Sequence, residues 1–188
     1  MSRFWMVRHG PTHAKSMVGW SDIPADLSDH AALARLRAYL PDAPVISSDL
    51  IRATATADAV QDDRPRLPHN ADLREINFGA WELRTFADVE AETPELIRAY
   101  WEQPGDVRPP GGESWYDVQA RVDAAIDALI GTAPDIIVVC HFGVILTQVQ
   151  RALGISAYDA FANRIDNLSV TDMSFDNSWH IGAINHCP

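Results

Sequence analysis

Two histidines hold matching places along this 188-residue chain. His9 follows the short apolar run RFWMVR at 3–8, with Arg8 before it and Gly10 after it. His141 follows DIIVVC at 135–140, the strongest strand pattern in the chain, with Gly143 two residues on. Ligands of open parallel sheets bind at the carboxyl ends of the strands, so both imidazoles are expected to point into one crevice. Arg52 lies near the start of the helix after the second strand and belongs to the same rim. Two imidazoles and two guanidiniums converging on one point make an anion site. Guanidinium forks suit phosphate, and helix N-termini add backbone N–H donors. Singly these signals are weak: a lone histidine after a strand is more often a packing or capping residue, and a lone arginine a solvated one. The combination carries the reading. His9, His141 and Glu75 are also zinc-ligand types, but Arg8 and Arg52 would repel a cation, and no short H-x-x-x-H spacing is present.

The elements that must position these groups alternate. Residues 3–8 read as a buried strand. Residues 28–40 read as a helix with Ser28 as N-cap and Leu33, Leu36 and Leu40 on one face, ended by Pro41 and Pro44. VISS at 45–48 is a second strand, and 50–61 a second helix with Asp49 or Ser48 as its cap. The stretch 85–103 is helical but interrupted at Pro94. A helix from Ser114 to about Ile130 opens with Ser114 and Asp117 in capping-box spacing. DIIVVC is apolar on both faces, as in a parallel sheet. A helix over about 143–153 stops at Gly154. Residues 168–175 and 178–184 alternate apolar with polar and read as a strand pair. The expected fold is a three-layer α/β/α domain over 1–188, with a mostly parallel central sheet and a helical insertion at 71–134 over the active-site edge.

Composition narrows the function classes. Fifteen basic residues against 26 acidic give a net charge of −11, and Lys15 is the only lysine. Twelve acids and four bases fall between Glu82 and Asp135, so most of the excess lies there. Nucleic acid and anionic membrane are poor partners, because phosphate-backbone binding needs a basic face. An anionic substrate must be drawn in by a local positive cluster. The longest apolar run, Ile136 to Cys140, is far short of the roughly 20 residues of a membrane span. The N-terminus has no signal-peptide pattern, and two cysteines are too few for a disulfide framework. The expected compartment is the cytoplasm.

Taken together the motifs resemble the histidine phosphatase superfamily, in its phosphoglycerate mutase-like branch. VRHGPT at 7–12, SSDLIRATATA at 47–57, LREINFGAWE at 73–82, GGES at 111–114 and VVCHFGV at 138–144 occur in that family's order and spacing, across almost the whole chain. The resemblance implies a metal-independent enzyme without a cofactor. His9 would be the nucleophile that forms a phosphohistidine, with Arg8, Arg52 and His141 clamping the phosphoryl oxygens and Glu75 as general acid. Gly10, Thr12, Lys15 and Ser114 are the candidate substrate-binding residues. Thr12 either donates to phosphate or holds its turn, and Ser114 either nears the pocket or only caps its helix.

Three positions depart from the common pattern. Lys15 stands where asparagine is usual, Leu83 replaces the glycine after the W-E pair, and Phe142 replaces the first glycine after the second histidine. None removes a core group, but each bears on substrate choice. The leading expectation is a phosphomonoesterase acting on a small phosphorylated metabolite and releasing phosphate. The alternatives are a phosphoglycerate mutase-type or α-ribazole phosphatase-type activity, or a non-catalytic phosphate-binding module. A homodimer is left open. Trp20, Trp81 and Trp115 could line the mouth, although packing is the commoner role of tryptophan. Cys140 reads as a buried strand residue.

Overall fold

The computed structural model describes residues 1–188. Five strands form one sheet in the order β2-β3-β1-β4-β5, comprising β1 (Ser2–Arg8), β2 (Val45–Ser47), β3 (Asp135–Cys140), β4 (Val170–Asp176) and β5 (Ser178–Ile181). β2, β3 and β1 run parallel, and β4 and β5 add an antiparallel edge.

The period of two in each strand decides which helices cover which face. Phe4, Met6, Ile136, Val138 and Cys140 point to one core, where α5 (Trp115–Asp127) and α6 (Phe142–Leu153) lie. Val7, Ile137, Val139 and Val45 point to the other, covered by α1 (His30–Tyr39) and α2 (Ile51–Gln61). Both faces are therefore filled, which explains why DIIVVC carries no polar alternation. Each of these fully buried side chains contributes roughly 1.5–3 kcal/mol relative to exposure.

The register then places the histidines. Arg8 pairs with Cys140 in the parallel ladder, so the next residue of each strand, His9 and His141, leaves the sheet beside the other. The His9 amide donates to the Cys140 carbonyl at 3.0 Å.

The helix starts correct two expectations. Asp29, not Ser28, caps α1, its carboxylate accepting from the Ala32 amide. Ser28 instead donates its own amide to Asp26. Neither Asp49 nor Ser48 caps α2. Asp49 is bound by both ends of the Arg74 fork, and the Ile51 amide is taken by Asp22 from a distant loop. A short-range reading sees only cap candidates next to the helix. Pro94 does break the 85–103 stretch, into α3 (Phe86–Glu92) and α4 (Pro94–Glu102), with Pro94 as the first residue of the second helix. The Ser114–Asp117 capping box is formed at the start of α5. Within 71–134, α5 packs beside α6 and shares the core under β1 and β3, while α3 and α4 pack on each other. A short helix, α7 (Ala157–Ala160), links α6 to the loop before β4.

Candidate active site

The crevice at the strand ends has a volume of about 250 Å³, and Arg8, His9, Thr12, Arg52, Glu75 and Phe142 are among the residues that line it. Four of the five groups expected to do chemistry line it, and the fifth, His141, is fully buried beside His9. A larger hollow of about 350 Å³ lies on the far side of the 9–13 loop, lined by His13, Asp26, Arg35 and Asn167 among others. It holds none of those five groups.

His9 is 6% exposed. Its Nδ1 lies 2.7 Å from the Gly10 carbonyl, which can only accept, so Nδ1 carries the proton and Nε2 keeps its lone pair. Burial, then the charge of Arg52 and to a lesser degree of Arg8, hold the His9 pKa down at about 3, against the opposing effect of the Gly10 bond. The ring is therefore neutral at any physiological pH. The chain around it is tied down at both ends. The Asn167 amide donates to the His9 carbonyl at 2.8 Å, and the Gly10 amide donates to Thr56 Oγ1 at 3.0 Å. Both backbone groups of Gly10 thus have protein partners, the carbonyl at the His9 ring and the amide at Thr56.

His141 is fully buried, with its ring centroid 5.1 Å from that of His9. Neither of its ring nitrogens has a hydrogen-bond partner in the protein. Burial, joined by the nearby His9 and arginine charges, pushes its pKa well below the usual value. It sits at the N-cap of α6, whose positive end faces the same crevice. Two buried polar atoms without partners are costly unless a ligand satisfies them. The Arg8 Nε is likewise buried without a partner.

The arginines are held by carbonyls, not by carboxylates. Arg8 Nη1 donates to Ile165 O at 2.6 Å. Arg52 Nη1 and Nη2 donate to Ser21 O and Gly19 O at 2.9 and 2.6 Å. Neutral acceptors fix the forks without an ion pair, so the remaining N–H groups and a positive charge moderated by nearby Glu75 are available to an anion. The Gly19–Ser21 loop is itself organised by Glu82. Its carboxylate accepts the amides of Gly19, Trp20, Ser21 and Phe78 and the Ser21 hydroxyl. A Cβ at position 19 would collide with the Ile76 carbonyl, so only glycine brings this loop close enough.

Glu75 is 7% exposed. Its Oε1 accepts from the Ile76 and Gly143 amides, both at 3.0 Å, and Oε2 accepts from Gly143 at 3.2 Å. It thus serves the second amide of α6, which the chain around His141 leaves uncapped. A side chain on Gly143 would displace this carboxylate. The Glu75 carbonyl is fixed too, accepting from Trp20 Nε1 and Arg121 Nη2, both at 2.9 Å. Arg121 also binds the carbonyls of Asp72 and Arg74 and pairs with Glu113 at 2.7 Å.

Two candidates stand elsewhere. Ser114 is fully buried, accepts from the Asp117 amide and does not line the crevice. Lys15 is exposed and outside the lining, although its neighbours Ala14 and Ser16 are in it. Thr12 lines the crevice, and its only protein bond is a long 3.5 Å one from the Ala14 amide. Of the three tryptophans, Trp81 and Trp115 are buried in the core and Trp20 packs against Arg74. His9, His141 and Glu75 form no cluster placed to hold a metal ion. Asn167, Arg121 and Glu82 were not singled out from the sequence, because each acts through a partner more than 40 residues away.

Known proteins resemble this chain in sequence and fold. Residues 4–185 match the family model of the histidine phosphatase superfamily (branch 1). The bifunctional protein Rv2228c of Mycobacterium tuberculosis is 30% identical over 98% of this chain, which spans about half (54%) of that relative's length. The adenosylcobalamin/alpha-ribazole phosphatase of Salmonella typhimurium is 29% identical, over 87% of this chain and 86% of the relative. Among solved structures, the mycobacterial glucosyl-3-phosphoglycerate phosphatase Rv2419c superposes with a TM-score of 0.84 at 26% identity, covering 100% of both chains.

Proposed function

The chain belongs to the histidine phosphatase superfamily (branch 1), and we propose that it is a phosphomonoesterase that hydrolyses a small organic phosphate through a phosphohistidine on His9. One observation carries this reading. The buried His141 ring, whose two nitrogens have no partner, lies with its centroid 5.1 Å from that of His9, beside two arginines anchored on carbonyls and in no ion pair. A phosphoryl group answers all of these at once, in number of acceptors and in sign of charge.

The chemistry follows from the atoms. The phosphate ester enters with its oxygens toward Arg8, Arg52 and His141. His9 Nε2 attacks phosphorus in line with the ester oxygen. The N–P bond forms as the P–O bond breaks, and the electron pair leaves on the alcohol oxygen. Glu75, protonated for this step, delivers the proton that turns the leaving alkoxide into an alcohol. Water then attacks the phosphohistidine, Glu75 takes a proton from it, and phosphate leaves with His9 restored. The loose transition state asks mainly for fixed positive charge, which the carbonyl-anchored forks provide without reorganisation. A second reading, α-ribazole phosphatase-type specificity, rests on the similarity to the Salmonella enzyme.

The test is hydrolysis of p-nitrophenyl phosphate by wild type and His9→Ala, with and without EDTA. Turnover that EDTA leaves intact and the substitution abolishes is the expected result. Near wild-type turnover by His9→Ala would refute the nucleophile assignment, and no turnover by wild type would leave a phosphate-binding module.

A further inference from the structure

Part of the crevice lining has a different chemistry from the histidine and arginine end. Met17, Val18, Phe78, Trp101 and Phe142 form it. The only cations in the lining are Arg8 and Arg52, and both belong to the phosphate end. Thr12 and Ser16 are its only uncharged hydroxyl groups. The aromatic members are braced. Trp101 packs edge-on to Tyr100 at 5.0 Å and to Phe161 at 5.6 Å, and lies 6.1 Å from Phe78. Phe142 lies 5.3 Å from the Arg8 guanidinium and so lies at the junction of the two ends.

No arginine of the 82–135 stretch is free to receive a second anion. All four arginines between Glu82 and Asp135 are paired. Arg84 binds Glu92, Arg98 binds Glu90 and Arg121 binds Glu113, each at 2.7 Å, while Arg108 binds Asp117 at 3.1 Å. Eight further acids lie in that stretch, of which Asp123 and Asp127 pair with Arg151. Lys15 is exposed and outside the lining. The volume of about 250 Å³ lies below the roughly 300–1,000 Å³ typical of sites for drug-sized ligands.

Resting on the phosphomonoesterase reading, we infer that the site selects monophosphates of small apolar alcohols, alkyl or single-ring aryl, and discriminates against substrates with a second phosphate or carboxylate. The phosphate is held by charge and the alcohol by burial against Phe78, Trp101 and Phe142. A second anion would lose its hydration against an apolar wall, with no further arginine fork in the lining to receive it.

The test holds the chemistry constant and varies the wall contact. The kcat/KM of wild type is measured on ethyl, butyl and hexyl phosphate, whose leaving groups have nearly equal acidity, and on 3-phosphoglycerate. The expected result is a rise of roughly two- to fourfold per added methylene until the crevice is full, with 3-phosphoglycerate below butyl phosphate. Trp101→Ala and Phe142→Gly, each checked for folding by its melting curve, are expected to flatten that rise. A flat series, or a preference for 3-phosphoglycerate, would overturn the inference while leaving a phosphatase in place. If no ester is hydrolysed, the phosphatase reading falls instead. Calorimetric binding of ethyl-, butyl- and hexylphosphonate to wild type then decides the ligand class: affinity that climbs with chain length supports it, and constant affinity refutes it.

Discussion

The two walls of the crevice are built on opposite principles. The strand-end wall is polar, buried and left with unmet hydrogen bonds at His141 and Arg8. The cap wall is aromatic, and its rings meet edge-on in a chain from Trp81 through Tyr100 and Trp101 to Phe161. One wall is completed by a ligand and the other by itself. Unsatisfied polarity marks where chemistry is done, and satisfied packing marks where shape is read. One atom crosses this division. The Tyr100 hydroxyl is buried without a partner inside the aromatic wall.

Substitutions can break this contrast, beginning with the largest expected effect. Glu75→Gln should lower kcat/KM on alkyl phosphates by about 10²–10⁴-fold and act far less on p-nitrophenyl phosphate, whose phenolate leaves without an acid. Equal losses on both esters would remove Glu75 from the acid role. Arg52→Ala should cost about 10²–10³-fold in kcat/KM, as expected for loss of a preorganised charged donor. Steady-state kinetics on p-nitrophenyl phosphate would show it, and a loss below tenfold would mean that the fork only supports the Gly19–Ser21 loop.

The two histidines make stability depend on pH. Both are held neutral in the fold, with pKa values below the 6.5 of the unfolded chain. Above pH 6.5 neither state takes up a proton there and stability is undiminished. As pH falls through 6.5, the unfolded chain binds protons that the folded one refuses, and stability is lost at roughly 1.4 kcal/mol per pH unit for each histidine. For His9 this continues toward about pH 3. Urea unfolding at pH 7.5, 6.5, 5.5 and 4.5 should show the slope, and His141→Asn should reduce it. An unchanged slope in that variant would place the proton uptake elsewhere.

The smallest effect separates the walls most sharply. Tyr100→Phe removes a buried hydroxyl that bonds to nothing, so it should leave turnover unaltered and raise stability by about 1 kcal/mol. A fall in kcat would show that this hydroxyl serves the reaction, and the two walls would then not be distinct in kind.

How much of this could be read beforehand follows from the range of each interaction. The strands, the two histidines at their ends and the Pro94 break follow from patterns within a few residues, and they stand in the structure as expected. The caps of α1 and α2 do not. Asp29 sits beside Ser28, two good caps from which local spacing cannot choose, and Asp22 reaches Ile51 across 29 residues of sequence. Ser114 carries the same ambiguity, since the hydroxyl that completes a capping box is the type that also binds phosphate. Glu75 was identifiable by its motif, but its anchorage on the Gly143 amide exists only once α5, α6 and the 71–78 turn have met. The segment 71–134 changes in composition at its start, yet α5 within it belongs to the central layers, because acidity reports solvent exposure and not layer membership.

The Glu82 carboxylate has one more consequence. Loop amides ordinarily exchange their hydrogens with solvent quickly, whereas those of Gly19, Trp20 and Ser21 all end on this single buried-side acceptor. They should exchange on the timescale of the sheet, and a deuterium label would see the seat of Arg52 as if it were a sixth strand.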